Sequence, residues 1–192
     1  MFCITCQGAF YAGCTYGVAS GFKCVAIVGA SGSDKTTLAA LLQCLYELTL
    51  GNISIGFSDL AKTEVHHLRK HMSVVSQNPH LFDVSAVQNI TYNPWCISTA
   101  MAANVHNFIM SLPKGYDMLL GANATALISG GQAQRLQITR ALARPSRILI
   151  LDECTSALDP VNQAAVIETI HQAKRGRTMI MATHKLPSAG VD

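Results

Sequence analysis

Four short apolar runs recur along the chain: Cys24–Val28, Met72–Val75, Ile148–Leu151 and Met179–Met181. None alternates polar with apolar side chains. Each is therefore predicted to be a strand covered on both faces, as in a parallel sheet between helix layers. Between them lie stretches of helical character: Lys35 to about Leu48, Gln132 to Ala143, and Val161 to about Ala173. Strands alternating with helices predict an α/β architecture. From Asn78 to about Gly131 the rhythm breaks. Turn signals at Asn78-Pro79, Asn93-Pro94 and Pro113-Lys114-Gly115 surround an apolar helical segment near Ala100–Met110, so this stretch reads as a helical insertion. Residues Ser129 to Gln132 have the spacing of a capping box, and Arg144-Pro145 stops the helix they open.

The first 22 residues carry no charge, which raises the question of a membrane segment. Thr5, Gln7, Thr15, Ser20 and four glycines interrupt the run, and no basic region precedes it. Buried strands and turns are the expectation, and no convincing transmembrane helix is seen. If the protein works at a membrane, another segment or subunit supplies the span. A chain of 192 residues suits one domain, and 49% hydrophobic with 13% charged residues excludes a disordered class. A net charge of +3 without a basic run gives no argument for nucleic acid. The cysteines (Cys3, Cys6, Cys14, Cys24, Cys44, Cys96 and Cys154) are odd in number and scattered, several within apolar runs. They read as reduced thiols in a cytosolic setting. Cys3 and Cys6 have the spacing of half a metal or redox site, but no second pair matches it.

The chemistry concentrates after the first strand. Residues 29–37, "GASGSDKTT", follow the pattern of a phosphate-binding loop (Gly, four residues, Gly, Lys, Ser or Thr) with Gly29, Lys35 and Thr36 in register and Asp34 where the second glycine belongs. Backbone N–H groups of the loop would face a β-phosphate, with Lys35 reaching the β- and γ-phosphates and the Thr36 hydroxyl holding Mg²⁺. A plain strand-to-helix turn rich in small residues has the same local look. "ILILDE" then places Asp152 and Glu153 at the carboxyl end of a strand, where Asp152 would bind magnesium's water shell and Glu153 would take a proton from attacking water. Two acids at a strand end are otherwise ordinary surface residues. "ISGGQAQRL", residues 128–136, offers Ser129 and two glycine amides at a helix N-terminus, a second anion site.

With these three stretches the chain resembles the nucleotide-binding domain of ATP-binding-cassette (ABC) transporters. Ser-Gly-Gly-Gln about twenty residues before Asp-Glu is that family's signature. The resemblance implies an α/β fold: a P-loop NTPase (RecA-like) parallel-sheet core with an inserted helical subdomain carrying the signature. It makes residues 1–192 a single cassette, with 1–77 and 144–192 as the core and 78–143 as the helical subdomain. It implies ATP and Mg²⁺ as cofactors, held by Gly29, Ala30, Ser31, Gly32, Ser33, Asp34, Lys35, Thr36 and Thr37, by Ser129, Gly130, Gly131 and Gln132, and by Asp159 of the "SALD" D-loop. Thr36, Gln77 and Asp152 are the implied metal residues. Glu153, His184 (in "MATHK"), Gln77 (the Q-loop glutamine) and Lys35 are the implied catalytic ones. The implied activity is ATP hydrolysis coupled to transport. The implied partners are a second nucleotide-binding domain, in a head-to-tail dimer, and the transmembrane domains of an exporter, at the cytoplasmic face of a membrane. "LPKGYD" and "NPHLFDVSAVQNI" look like exporter-type cassettes, and "ITRALARPSRILILDECTSALDPVNQ" is similar to fungal exporters of the a-factor pheromone type.

The departures are as specific. Asp34 replaces a glycine; as a carboxylate beside a helix N-terminus it is expected to accept free N–H groups as a cap, and to oppose phosphates as a like charge. The segment before Ser20 does not clearly match the family's opening β-subdomain, leaving Tyr11 and Tyr16 only as candidates for stacking on adenine. The chain reads as a cassette trimmed at both ends. A silent cassette that only completes a partner's site is the alternative function. DNA-maintenance ATPases of the same class need long coiled-coil arms, and no heptad run occurs.

Overall fold

The computed structural model describes residues 4–10, 14–17, 24–30, 32–48, 51–55, 58–90, 96–121, 128–156, 158–173 and 176–184. The chain runs through β1 (Ile4–Phe10), β2 (Cys14–Gly17), β3 (Cys24–Val28), α1 (Lys35–Leu42), β4 (Asn52–Ile55), β5 (Ser58–Asp59), α2 (Val65–Lys70), β6 (Met72–Val75), β7 (Val84–Ser85) and α3 (Ala86–Ile90). It continues with α4 (Cys96–Ala102), α5 (His106–Ser111), β8 (Leu119–Leu120), α6 (Gly130–Ala143), β9 (Ile148–Asp152), α7 (Pro160–Ala173) and β10 (Thr178–Thr183). These elements form two compact units, one of residues 1–73, 146–152 and 174–192, the other of residues 74–145 and 153–173.

In the first unit the four apolar runs form one sheet, in the order β3-β10-β9-β6. β10 is parallel to both neighbours, with Met181 opposite Ala26 on one side and Leu151 on the other. β9 is buried throughout and β10 nearly so, as continuous apolar runs require. β3 departs from expectation: it lies at the end of the strand order, and Val28 is 45% exposed. α1 packs on β9 and β10 through an apolar face that buries Leu38, Leu41 and Leu42.

α1 is shorter than its sequence suggests. Cys44 turns to φ 53°, and the N–H groups of Cys44 and Leu45 bond back to the carbonyls of Leu41 and Ala40, closing the helix at Leu42. Leu45 and Tyr46 beyond it are exposed, so the apolar pattern continues past the helix without being core. A second, antiparallel sheet has the order β2-β1-β4-β5, with Ile4 opposite Ile55 and Gln7 opposite Asn52. Within the uncharged opening of the chain, residues 4–10 and 14–17 are thus strand, as expected. β1 also pairs with β4, a partnership across some 45 residues that local composition does not report.

The second unit is helical around a core of Ala86, Ile90, Ala100, Val105, Ile109, Leu120 and Leu136. The apolar segment near Ala100–Met110 is two helices rather than one. Asn104, at φ 52°, breaks it, and its carbonyl accepts Nη1 of Arg135 on α6 at 2.6 Å. α6 begins as the sequence indicates: Ser129 Oγ accepts the N–H of Gln132 at 3.3 Å, and Gln132 Oε1 accepts the N–H of Ser129 at 2.9 Å.

Asn89, 2% exposed, holds the turn that follows β6. Its Nδ2 donates to the carbonyls of Phe82 (2.9 Å), Val84 (3.1 Å), Ser85 (3.2 Å) and Leu120 (3.4 Å). Its Oδ1 accepts the N–H of Phe82 at 2.8 Å and Arg140 Nη2 at 2.6 Å. Arg140 also donates to the Asn89 and His80 carbonyls and lies over the Phe82 ring, 4.5 Å from its centroid.

Among the described residues Cys24, Cys44 and Cys154 are free thiols, the first and last buried; Cys3 lies outside the described residues. No helix among the described residues is long and apolar enough to cross a membrane.

Candidate functional site

In the first unit three parallel strands end at one edge. The register sets Val28 of β3 opposite Thr183 of β10, and Asp152 of β9 opposite Ala182. Gly29, Asp152 and His184 therefore emerge side by side at the carboxyl ends of the strands, where open α/β sheets bind ligands. The Gly29 N–H donates to the Thr183 carbonyl at 3.4 Å. His184 Nδ1 lies 3.1 Å from the Gly29 carbonyl. A carbonyl only accepts, so Nδ1 carries the proton.

Lys35 is buried, and its ammonium is held by the loop itself. Nζ donates to the carbonyls of Gly29 and Ala30 at 2.8 Å each and to Ser33 Oγ at 3.4 Å. A Cβ at Gly29 would stand 2.3 Å from Ser33 Oγ, so a side chain there would make Ser33 turn away. Thr36 is exposed at the start of α1, Gly32 is in the left-handed region at φ 81°, and Ser31 lies outside the described residues. Asp152, 4% exposed, has a carboxylate oxygen, Oδ1, without a hydrogen-bond partner among the described residues. A buried, unsatisfied carboxylate oxygen is costly in isolation and suits a cation or its water shell.

Asp34 behaves differently from its sequence expectation. It adopts φ 57° and ψ 24°, and its carboxylate accepts no capping N–H. Instead Thr37 Oγ1 donates to Oδ1 at 3.4 Å, and the side chain is exposed. The backbone keeps the left-handed turn that a glycine would take there, and in that conformation the carboxylate meets a first-turn hydroxyl rather than a helix N–H.

In the second unit Glu153 and Gln77 are brought together. Gln77 Nε2 donates to Glu153 Oε2 at 3.0 Å, although 76 positions separate them. Glu153 has φ 47°, a strained conformation for a residue with a side chain. Gln77 is placed through its neighbour: Ser76 O accepts Gln134 Nε2 at 3.1 Å, and Ser76 Oγ accepts Gln137 Nε2 at 2.8 Å. Both glutamines are buried on one face of α6. Sequence reasoning missed them, although polar residues three apart on the inward face of an apolar helix were the available signal.

Asp159 caps α7, with its carboxylate accepting the backbone N–H of Asn162 (3.1 Å) and the Asn162 side-chain amide. Those bonds, the side-chain one foremost, hold its pKa below the usual aspartate value. Asn162 Oδ1 also accepts Nη1 of Arg135 at 2.9 Å, so the start of α7 is linked to α6 about one turn beyond the Ser129–Gln132 capping box. The side chains of Tyr11 and Tyr16 lie outside the described residues.

A family model described as "ABC transporter" matches residues 17–156. The chain belongs to the ABC transporter family. As an ABC chain it is 43% identical over 170 residues to the multidrug resistance protein pgp-1 of Caenorhabditis elegans, covering 84% of this chain and 13% of that protein. It is 42% identical over 168 residues to an ATP-dependent lipid A-core flippase of Legionella pneumophila, covering 84% of this chain and 28% of that protein. A solved bacterial Atm1-family ABC exporter with ATP bound superposes with a TM-score of 0.87 at 31% identity, over 96% of this chain and 35% of that one. The ABC chain thus spans well under a third of the length of these two curated relatives. They come from an animal and a bacterium and carry different names, so the likeness shown is to ABC exporters broadly.

Proposed function

We propose that this chain is the nucleotide-binding cassette of an ABC exporter, binding ATP with Mg²⁺ and hydrolysing it to drive transport. The observation that supports this best is the strand edge of the first unit, where the Lys35 loop, the unsatisfied Asp152 carboxylate and His184 emerge together. In this reading Lys35 exchanges its loop carbonyls for β- and γ-phosphate oxygens, and the loop amides orient the phosphates. Thr36 and Asp152 would hold Mg²⁺, with Gln77 assigned to the same ion; the ion supplies charge neutralisation on the phosphates. Glu153 takes the proton of the attacking water, and Gln77 orients its carboxylate. His184 steadies the γ-phosphate from the end of β10. The exporter's membrane domains and a second cassette would be its partners, at the cytoplasmic face of a membrane.

Ser129 and the amides of Gly130 and Gly131 are assigned to a neighbouring cassette's nucleotide, in a head-to-tail pair. Ser129→Arg is then expected to leave this chain's own Mg-ATP affinity within about twofold. ATP-driven dimerisation, followed by light scattering, should weaken at least about tenfold, because a cation replaces a donor at a helix N-terminus. Ser129→Thr keeps the cap and serves as the folding control. Equal loss of ATP binding by the isolated chain would place the signature's action within its own chain.

Asp34 is the feature behind the alternative, a silent cassette that completes a partner's site, which the family likeness does not favour. At about 6 Å a like-charge pair costs roughly 3 kcal/mol at an effective dielectric near 20 and under about 1 kcal/mol in water. Asp34→Gly is therefore expected to tighten Mg-ATP binding about tenfold to a hundredfold. Since the carboxylate makes no cap bond and the backbone is left-handed, the substitution should not destabilise the empty chain, and relief of the left-handed strain contributes up to about 1 kcal/mol. Paired nucleotide titrations decide it. Equal affinities would mean the carboxylate stays in solvent and never meets phosphate.

A further inference from the structure

Three histidines lie along α2: His66 and His67 in its first turn and His71 at its C-cap. His67 and His71 stand four residues apart, one turn of helix, and so share a face. Their ring centroids are 4.9 Å apart and the ring planes cross at 67°. Two imidazoles on one metal ion, with metal–nitrogen bonds of about 2.0–2.1 Å and angles of about 90–110° at the metal, have centroids about 4.5–5.2 Å apart. The observed spacing falls within that window. His67 is exposed and His71 half-buried, so an ion can reach the pair from solvent.

The electrostatics of the position are favourable. His71 is the C-cap of α2, the negative end of the helix dipole. Glu64, the N-cap one turn before His67, adds a carboxylate that accepts the His67 N–H at 3.0 Å. Arg69 donates to the carbonyls of Gln43 (3.1 Å) and Cys44 (3.4 Å), which engages that neighbouring cation with the end of α1. His71 is also fixed by its backbone, since its carbonyl accepts the N–H groups of both Arg147 (2.9 Å) and Ile148 (3.0 Å) at the start of β9. One of the two ligands is thus mounted on the sheet.

We propose that His67 and His71 form a surface site for a divalent transition-metal ion of borderline character, such as Zn²⁺ or Ni²⁺, apart from the nucleotide loop. No group of three or more His, Cys, Asp or Glu among the described residues is placed to hold a metal, so the site has two protein ligands and water completes the shell. Ions that prefer imidazole enter it, and Mg²⁺, which prefers oxygen, does not.

The test is a titration of the untagged, reduced 192-residue chain with Ni²⁺, repeated with Zn²⁺, followed by calorimetry and by the thermal midpoint. His67→Ala and His71→Ala are each expected to weaken Ni²⁺ binding at least about tenfold, as loss of a chelating partner does. His66→Ala, on a different side of the same helix, should leave the affinity within about twofold. His67 is exposed, so its variant keeps the fold, and unchanged circular dichroism checks this for both. The metal should raise the midpoint of the parent chain and not of the two variants. Equal losses in all three variants, or binding that survives in His67→Ala, would leave the two rings as an aromatic edge contact and nothing more.

Discussion

Glu153→Gln is expected to lower ATP turnover by about a hundredfold to ten-thousandfold while Mg-ATP stays bound, the range a positioned general base contributes. The amide matches the carboxylate in shape and retains an oxygen for Gln77 Nε2, which donates across 3.0 Å, so the local geometry survives. What is lost is the ability to accept the proton of water. The backbone supplies an independent check. Glu153 sits at φ 47°, which costs a residue with a side chain about 1–2 kcal/mol. Glu153→Gly should therefore remove turnover and raise stability together, a pairing of signs that damage to the fold cannot produce. Phosphate release and nucleotide retention measured on the same sample separate chemistry from binding. Unchanged turnover in the Gln variant would move the base to His184.

Asn89→Ala is expected to destabilise the second unit by about 3 kcal/mol, the sum of a few buried hydrogen bonds and the groups left without them. The truncation removes the Asn89 amide donor from the carbonyls of Phe82, Val84 and Ser85 and takes an acceptor from Arg140, whose guanidinium is held below its ordinary pKa by burial. A desolvated cation that loses an acceptor is the costly part. Urea unfolding followed by amide exchange in α3 and α6 reads the effect locally. A loss under about 1 kcal/mol would mean that water replaces the amide without penalty.

The parallel sheet was legible because its inner strands β9 and β10 are buried nearly throughout, and a run such as "ILILD" has few other uses. Ser129 to Gln132 was legible for the same kind of reason, since the capping box is a local exchange of hydrogen bonds and the sequence holds both halves. The errors fall where the deciding contact is distant or conformational. α1 stops at Leu42 because Cys44 turns left-handed, and nothing in "LLQCLYEL" announces it. The helix expected near Ala100–Met110 breaks at Asn104, whose carbonyl answers an arginine 31 positions away. Asp34 was legible as an anomaly, but its direction was not, because a cap and a left-handed turn place the same carboxylate differently. Gln134 and Gln137 were invisible as anchors until Ser76 appeared beside them.

Those two glutamines have a mechanical consequence. They fasten α6 to Ser76, and the next residue, Gln77, grips Glu153. Side-chain contacts lie about 5–6 Å from a helix axis, so a roll of α6 by about 10° sweeps them through about 1 Å. That exceeds the spread of good hydrogen-bond lengths. A roll of α6 either draws Ser76 along, which moves Gln77 against the carboxylate it holds, or breaks the bonds that fasten Ser76. If a neighbour's nucleotide seats against Ser129 at the first turn of α6, as proposed above, it applies torque to this gear, and the setting of the Glu153 carboxylate then depends on what the neighbour has bound.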